Sequence, residues 1–502
     1  MVDAANKMRK QRGIYNIFWG LLGQAIILGI GIFIPRLFLI NYGSETNGMI
    51  ASIAQILAYF SLFEAGISAA AIQALYRPVS VDNHEEINSI LAATNKYFRK
   101  ICVYYLWAVV FLAAIYPYFI STSLPYTMAF IIIFIMGLSG ILNYYFQATY
   151  KVLLQAEGKN YVLANIGTIS AVLASAVKIG LLLIGCSLVF FQLAYFMVSL
   201  VQIVILIYYI RRNYKWINIK VTPNEQAIAH KDAAFIHQVA SLILTNTDVV
   251  ILTAFCGLKD VSVYIIYNMF FEVGTNITQI VSSGFIFMLG QGLSNYARES
   301  FKKFFALYET YFMAFNFAIV ITIYMFIVPF LNLYTSGIND AKYIDAKLAM
   351  LFLILKLVAA SRSTSLTLIN ISGEYKKTQK HAAVEATINI VLSLFFVNYF
   401  GVYGVALGTI VALLYRSVVT NTYTNRTILK QSVWYTYRRW FVNATICVVV
   451  LHTLPDKNFG DLASYKLLFW NALEYGSIVL FVFLIANMCC FYKELISIKA
   501  DK

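Results

Sequence analysis

Charge is what this chain has least of. Asp, Glu, Lys and Arg make up 12% of its 502 residues, and hydrophobic side chains 60%. Soluble domains carry about 25% charged residues, so a water-soluble globular protein is excluded. Reactive groups are equally thin. The five histidines (His84, His230, His237, His381, His452) are dispersed, with no nucleophile arranged beside them. The six cysteines (Cys102, Cys186, Cys256, Cys447, Cys489, Cys490) lie in or near apolar runs without metal-ligand spacing and read as packing residues. No G-x-x-x-x-G-K-[ST] run is present to cradle a nucleotide's phosphates, which argues against ATP as the direct energy source. No Cys/His cluster suggests zinc.

Lysine and arginine are also scarce in every second loop, and that scarcity gives the architecture. A spanning helix needs about 20 apolar residues. Candidate spans read at 14–40, 47–76, 101–119, 126–148, 161–184, 187–210, 234–256, 261–290, 308–333, 347–372, 381–399, 402–420, 437–454 and 467–490. Loops on one side hold 29 Lys and Arg, beginning with Lys7, Arg9, Lys10 and Arg12 and including the group Arg416, Arg426, Lys430, Arg438 and Arg439. Loops on the other side hold five: Lys259, Lys342, Lys347, Lys457 and Lys466. Cytoplasmic loops retain positive charge and short translocated loops avoid it. The expected fold is therefore an all-α polytopic membrane protein of about fourteen transmembrane helices. The expected location is a bacterial cytoplasmic (inner) membrane, with both termini cytoplasmic. The net charge of +15 then faces anionic membrane lipids. No nucleic-acid partner is expected, because no basic domain stands apart from the membrane. The first apolar run is too long for a cleavable signal peptide.

The longest polar stretch, Arg211 to Asp232, reads as a cytoplasmic linker (211–233) between an N-terminal six-helix lobe (1–210) and a C-terminal one (234–436). Residues 437–502 add two further helices and a tail. A short repeat supports the halving. Asn41-Tyr42-Gly43 precedes Phe63-Glu64-Ala65-Gly66 in the first half, and Phe255-Cys256-Gly257 precedes Phe271-Glu272-Val273-Gly274 in the second. A real duplication implies a pseudo-two-fold repeat about an axis along the membrane normal.

Ionisable groups inside spans are the most functional-looking feature, since each costs roughly 2.5–3.5 kcal/mol at the bilayer centre on insertion scales. They are Arg36, Glu64, Lys178, Asp248, Glu272, Lys356, Arg362 and Glu385. Arg36 follows Pro35, whose missing N–H kinks a helix and frees a carbonyl. Arg36, Lys356, Arg362 and Lys178 form a candidate cationic, substrate-facing set, although Lys178 and Glu385 sit near helix ends where snorkelling explains them as well. Glu64 and Glu272 either pair with a neighbouring cation or serve function. Asp248, in the run Thr245-Asn246-Thr247-Asp248, could hold Na⁺ or exchange a proton with help from Asn246. Interhelical hydrogen bonding is the plainer alternative there. Asn143-Tyr144-Tyr145-Phe146-Gln147 offers either a sugar-stacking platform or an interfacial aromatic belt.

Four stretches carry a family resemblance. They are Pro35-Arg36-Leu37-Phe38 with Gly43-Ser44-Glu45-Thr46-Asn47-Gly48; Leu62-Phe63-Glu64-Ala65-Gly66-Ile67 with Ala74-Leu75-Tyr76-Arg77-Pro78; Asn246-Thr247-Asp248-Val249-Val250-Ile251-Leu252 with Gly257 and Tyr264; and Gly373-Glu374-Tyr375-Lys376 leading to Asn389 and Gly401-Val402-Tyr403-Gly404-Val405-Ala406-Leu407-Gly408-Thr409. In these the chain resembles the Wzx-type polysaccharide and O-antigen flippases of the multidrug/oligosaccharidyl-lipid/polysaccharide (MOP) exporter superfamily. The resemblance implies two six-helix lobes around a cation-lined cavity that opens to either face. It implies an undecaprenyl-pyrophosphate-linked oligosaccharide substrate, H⁺ or Na⁺ as coupling ion without other cofactor, and a polysaccharide polymerase and chain-length machinery as partners. Carried over by position, Arg36, Lys356 and Arg362 would meet the anionic headgroup. Asp248 would couple the ion, and Glu64 and Glu272 would pair with cations or relay protons. Helices beyond the twelfth also occur in lipid II flippases.

Two rivals remain. A cation-coupled drug antiporter of the same superfamily would show a more acidic, aromatic cavity. A membrane-embedded polymerase would carry a large external loop or a D-x-D metal site, and this chain has neither.

Overall fold

The structure, a computed structural model, describes residues 19–492 apart from 20, 21, 24, 25, 28, 65, 229–231 and 455–463. Expectations placed on Lys7, Arg9, Lys10, Arg12, Ala65, His230, Lys231, Lys457, Lys493, Lys499, Lys502 and both termini lie outside these residues. No strand occurs among the described residues.

Fifteen α-helices follow in order: α1 Phe33–Tyr59, α2 Ile67–Ser80, α3 His84–Phe119, α4 Tyr126–Phe146, α5 Ala148–Ala156, α6 Asn160–Ile184, α7 Leu188–Asn213, α8 Asp232–Phe255, α9 Leu258–Asn295, α10 Arg298–Tyr334, α11 Ala346–Ile371, α12 Tyr375–Phe400, α13 Val402–Tyr423, α14 Trp434–Thr453 and α15 Tyr465–Cys490. Among the described residues, eleven helical stretches are long and apolar enough to cross a membrane, where the charge alternation counts fourteen spans. The candidate spans from 126–148 onward lie on α4 and on α6 to α15, most with ends shifted by a few residues, although α10 begins ten residues before span 308–333. Some helices are much longer than one crossing needs. α3 has 36 residues and α9 has 38, about 54 and 57 Å at 1.5 Å per residue, against a hydrocarbon core of about 30 Å.

One span differs in kind. The sequence reads 47–76 as continuous, but α1 passes into a 3₁₀ turn at Phe60–Glu64, and α2 starts only after Gly66. Gly66 has φ 85°, a left-handed conformation that costs glycine little and breaks the α-helical ladder. Pro35 lies in the first turn of α1, and Ile32 interrupts the helical residues just before it. That is where a missing proline N–H breaks the ladder. In the repeat, Gly43 and Gly257 both take positive φ, yet Glu64 ends a 3₁₀ turn whereas Glu272 lies inside the unbroken α9.

The chain forms two compact units, 1–242 with 257–259, and 243–256 with 260–502. In the first, α2, α3, α5 and α7 bury a core around Leu75, Leu91, Phe98, Leu153 and Leu206. The linker is part of that core rather than a free tether. Tyr214 and Ile228 are buried in it, Asn88 bonds Trp216 O and Asn218 N, and Lys96 pairs with Glu225 at 2.7 Å. In the second unit, α10 packs against α11, α14 and α15, so the last two helices are built onto this unit.

Candidate ion site and polar cavity

Three glycines help assemble a buried polar cluster of the second unit. Gly401 turns the chain between α12 and α13 at φ 55°, ψ −129°, a conformation favouring glycine. A Cβ on Gly404 would lie 2.2 Å from Phe396 O, and one on Gly408 would lie 2.4 Å from Ser393 Oγ. Small residues four apart let two helix backbones touch within a membrane. The close approach brings Val405 and Thr409 of α13 against Asn389 and Ser393 of α12, and α8 supplies Asp248.

The result is a buried oxygen cluster. The Thr409 hydroxyl lies 2.9 and 3.0 Å from the two Asp248 carboxylate oxygens, and Tyr264 donates to Oδ2 at 2.7 Å. Asn389 Nδ2 lies 2.9 Å from Thr409 Oγ1 and 3.5 Å from Asp248 Oδ1. Thr409 also reaches Val405 O at 3.1 Å. Asn389 Oδ1 is buried without a hydrogen-bond partner. A buried amide oxygen without a partner is costly unless something binds it. A carboxylate, an amide oxygen, a hydroxyl and a backbone carbonyl are hard oxygen donors suited to an alkali cation, and the carboxylate alone suits a proton. Asn246 is not in this cluster. Two residues away on α8, about 200° round the helix, it bonds Thr245 Oγ1 at 3.0 Å.

About two turns along α9 from Tyr264, Glu272 pairs with Lys356 of α11 at 2.6 Å. Lys356 lines a cavity of about 370 Å³ enclosed by α9, α10 and α11. Its other described lining residues are uncharged, with Thr275, Gln279, Asn316, Ser363 and Asn370 among the polar contributors. Arg362 does not line this cavity. It donates to Glu385 of α12, whose other oxygen lies 3.5 Å from Arg416 Nε.

No protein-family model matches the chain, and no curated protein matches it in sequence. Solved structures do match. A lipid II flippase, MurJ, in an inward closed conformation superposes with a TM-score of 0.67 at 15% identity, over 94% of this chain and 99% of the other. An inward-facing multidrug resistance MATE family transporter of the MOP superfamily gives 0.65 at 12% identity, over 86% and 99%. A MOP superfamily transporter from Pyrococcus furiosus gives 0.58 at 11%, over 84% and 97%. The fold is that of the MOP transporters.

The remaining sequence candidates are in the first unit. Arg36 is half-buried on α1. The Lys178 ammonium sits 3.9 Å from the centre of the Tyr195 ring, a cation–π contact between α6 and α7. Half-buried Glu64 ends the 3₁₀ turn and interacts electrostatically with Lys151, which bonds Asn143 Oδ1 at 2.7 Å. Tyr144 is buried against Phe98 and Tyr105, so it is no sugar-stacking platform.

Two arginines placed by the charge alternation in a cytoplasmic loop belong elsewhere. Arg416 and Arg439 are buried within α13 and α14. Each has a carboxylate from a neighbouring helix, Glu385 for Arg416 and Glu309 for Arg439, which compensates the charge. Glu309 of α10 and Glu474 of α15 also lie within candidate spans and escaped the inventory of buried charges. Glu309 stands at the very start of span 308–333, where a loop residue is expected. Glu474 is exposed on its helix.

Proposed function

We propose that this protein is a flippase, not an enzyme. It moves undecaprenyl-pyrophosphate-linked oligosaccharide units across the bacterial cytoplasmic membrane for surface polysaccharide synthesis, with both termini in the cytoplasm. The observation that carries this reading is the 370 Å³ cavity, whose described lining includes eight hydroxyl and amide side chains, with Lys356 as its one charged residue among those described. A drug antiporter would need acidic lining for cationic drugs, and the described lining residues include no acid. Both the lipid II flippase and the drug transporters share the fold, and the polar lining favours a glycan over a lipophilic cation.

The physics of the step is plain. Each unpaired polar group buried in hydrocarbon costs several kcal/mol, so a glycan headgroup crosses only if replacement partners line its path. The prenyl chain stays in lipid while the site is exposed to one face and then the other. Na⁺ or H⁺ binding at Asp248, Asn389, Thr409 and Val405 O supplies the driving force. Asp248 also interacts electrostatically with Lys356 at the cavity wall, so occupancy of the ion site alters the field at the cavity. Lys356 and Arg362 act through their partners Glu272 and Glu385, not as free cations awaiting an anion. A polysaccharide polymerase and chain-length machinery take the product onward.

A deletion strain tests the reading. Lipid-linked repeat units should accumulate on the cytoplasmic leaflet with drug sensitivity unchanged. Increased drug sensitivity with normal surface polysaccharide would replace the flippase reading by the antiporter one.

A further inference from the structure

Glu474 has a place in the fold that transport does not use. α15 is among the helices long and apolar enough to cross a membrane. Glu474 is its tenth residue, about 14 Å along the axis from Tyr465 and about 24 Å from Cys490. That depth falls inside a hydrocarbon layer of about 30 Å and away from either interface. The helix packs on the second unit through Leu468, Val479, Phe483 and Asn487, all buried. Phe483, nine residues on, is half a turn round the helix from Glu474 at 100° per residue. The carboxylate therefore stands on the face turned away from the unit, where it is exposed. Its companions there, Trp470, Ile478, Phe481 and Ile485, are exposed and apolar. Among the described residues no cation or hydrogen-bond donor reaches Glu474. Asn471, one turn before it, donates to Leu467 O at 2.8 Å, and its own amide oxygen has no donor among the described residues.

We propose that this face of α15 docks a transmembrane helix of another membrane protein, one that presents an arginine at the same depth. A carboxylate facing hydrocarbon is expensive, and ionisable groups inside membranes are found paired or beside water. Glu474 is not among the described residues that line the polar cavity or the apolar groove between α15 and α10. A carboxylate and an amide oxygen one turn apart offer acceptors only, so their complement is a cation with several N–H groups. The guanidinium carries five in a planar fork. Depth rules out a phospholipid ammonium, which stays at headgroup level. Charge rules out a second copy of this face. Inserted in the same orientation, it would set Glu474 against Glu474, and its Lys466 lies about 12 Å away along the axis. The surrounding rings and branched side chains supply the packing that joins helices in lipid, and the polar contact sets their register. Such docking holds whichever substrate the cavity carries.

The test uses the full-length protein in proteoliposomes and three leucine-rich transmembrane peptides, identical except for arginine, leucine or glutamate at one central position. Energy transfer between labelled protein and labelled peptide reads association. The arginine peptide should bind about tenfold more tightly than either of the others. Glu474→Gln should erase that preference, and Glu474→Asp should keep most of it. The comparison of peptides on the unaltered protein keeps the test decisive if a variant folds poorly. Equal binding of the three peptides, or a preference that survives Glu474→Gln, would overturn the proposal. Self-association of the protein that Glu474→Gln abolishes would overturn it too, by making a second copy the occupant. Labelling of Glu474→Cys by a membrane-impermeant maleimide, above the level of the unaltered protein, would set water against this face and likewise overturn it.

Discussion

Arg439 of α14 and Glu309 of α10 meet at 2.6 Å, with 2% and 0% of their side chains exposed. Thr310 accepts from Arg439 Nε, and Thr436 donates to the other Glu309 oxygen, both at 2.8 Å, so both carboxylate oxygens and two of the guanidinium nitrogens are engaged. It fastens the first of the two C-terminal helices to the second unit. Reciprocal amide bonds between Asn443 and Asn487 at 2.9 and 3.2 Å then fasten α15 to α14.

Removing one partner of a buried pair leaves an uncompensated charge and costs about 3–5 kcal/mol, whereas replacing both by apolar residues is often close to neutral. Arg439→Leu should therefore lower thermal stability in detergent strongly. Adding Glu309→Leu should recover most of the loss, as followed by fluorescence-detected size exclusion after heating. A double variant no more stable than the single one would show that the pair does not hold the helix.

The Glu385 cluster gives an ordering. Arg362→Gln leaves Glu385 with Arg416, whereas Glu385→Gln leaves two guanidinium groups facing each other in a buried place. Like charges at such depth repel strongly, so Glu385→Gln should be the less stable of the two in the same heating assay. The reverse order would mean that water solvates this cluster.

Gly404→Ala should separate α12 from α13. A methyl group 2.2 Å from Phe396 O cannot be absorbed by a side-chain rotation, because the obstacle is backbone. Overpacking of this kind costs about 1–3 kcal/mol. The displaced Thr409 should also loosen its contacts to Asp248, so ion-dependent stabilisation should fall along with folded yield. Unchanged behaviour in both would show that the helices part easily.

Much of this was legible in the sequence because the bilayer imposes simple rules. Apolar runs and alternating loop charge placed most helices to within a few residues. Asp248 stood out because a carboxylate in an apolar helix is expensive. Tyr264, Asn389 and Thr409 were visible only as carriers of the family resemblance and not as its partners, since they lie on other helices, up to 161 positions away, and their hydroxyl and amide groups are unremarkable one at a time. Arg416 and Arg439 were misread for a related reason. Positive charge near a helix end looks like a loop residue until a carboxylate from another helix is found beside it. The break at Gly66 was hidden because hydropathy runs smoothly through it while backbone conformation does not.

Ligand linkage tests the ion site. A bound ion at 100 times its Kd stabilises the folded state by about 2.7 kcal/mol. If Na⁺ is the coupling ion, NaCl should raise the melting temperature relative to equal KCl, and Asp248→Asn and Thr409→Val should abolish the difference. If H⁺ is the ion, no such difference appears and the driving gradient is one of pH. Sodium stabilisation that survives Asp248→Asn would place the ion elsewhere.

The most direct measurement is gradient-driven movement of a lipid-linked oligosaccharide in proteoliposomes containing the purified protein. Translocation should accelerate when a Na⁺ or H⁺ gradient is imposed, and Asp248→Asn protein that still inserts and folds should lose that response. Translocation indifferent to both gradients and to Asp248→Asn, or no movement of the glycolipid by unaltered protein under either gradient, would contradict ion-coupled flipping.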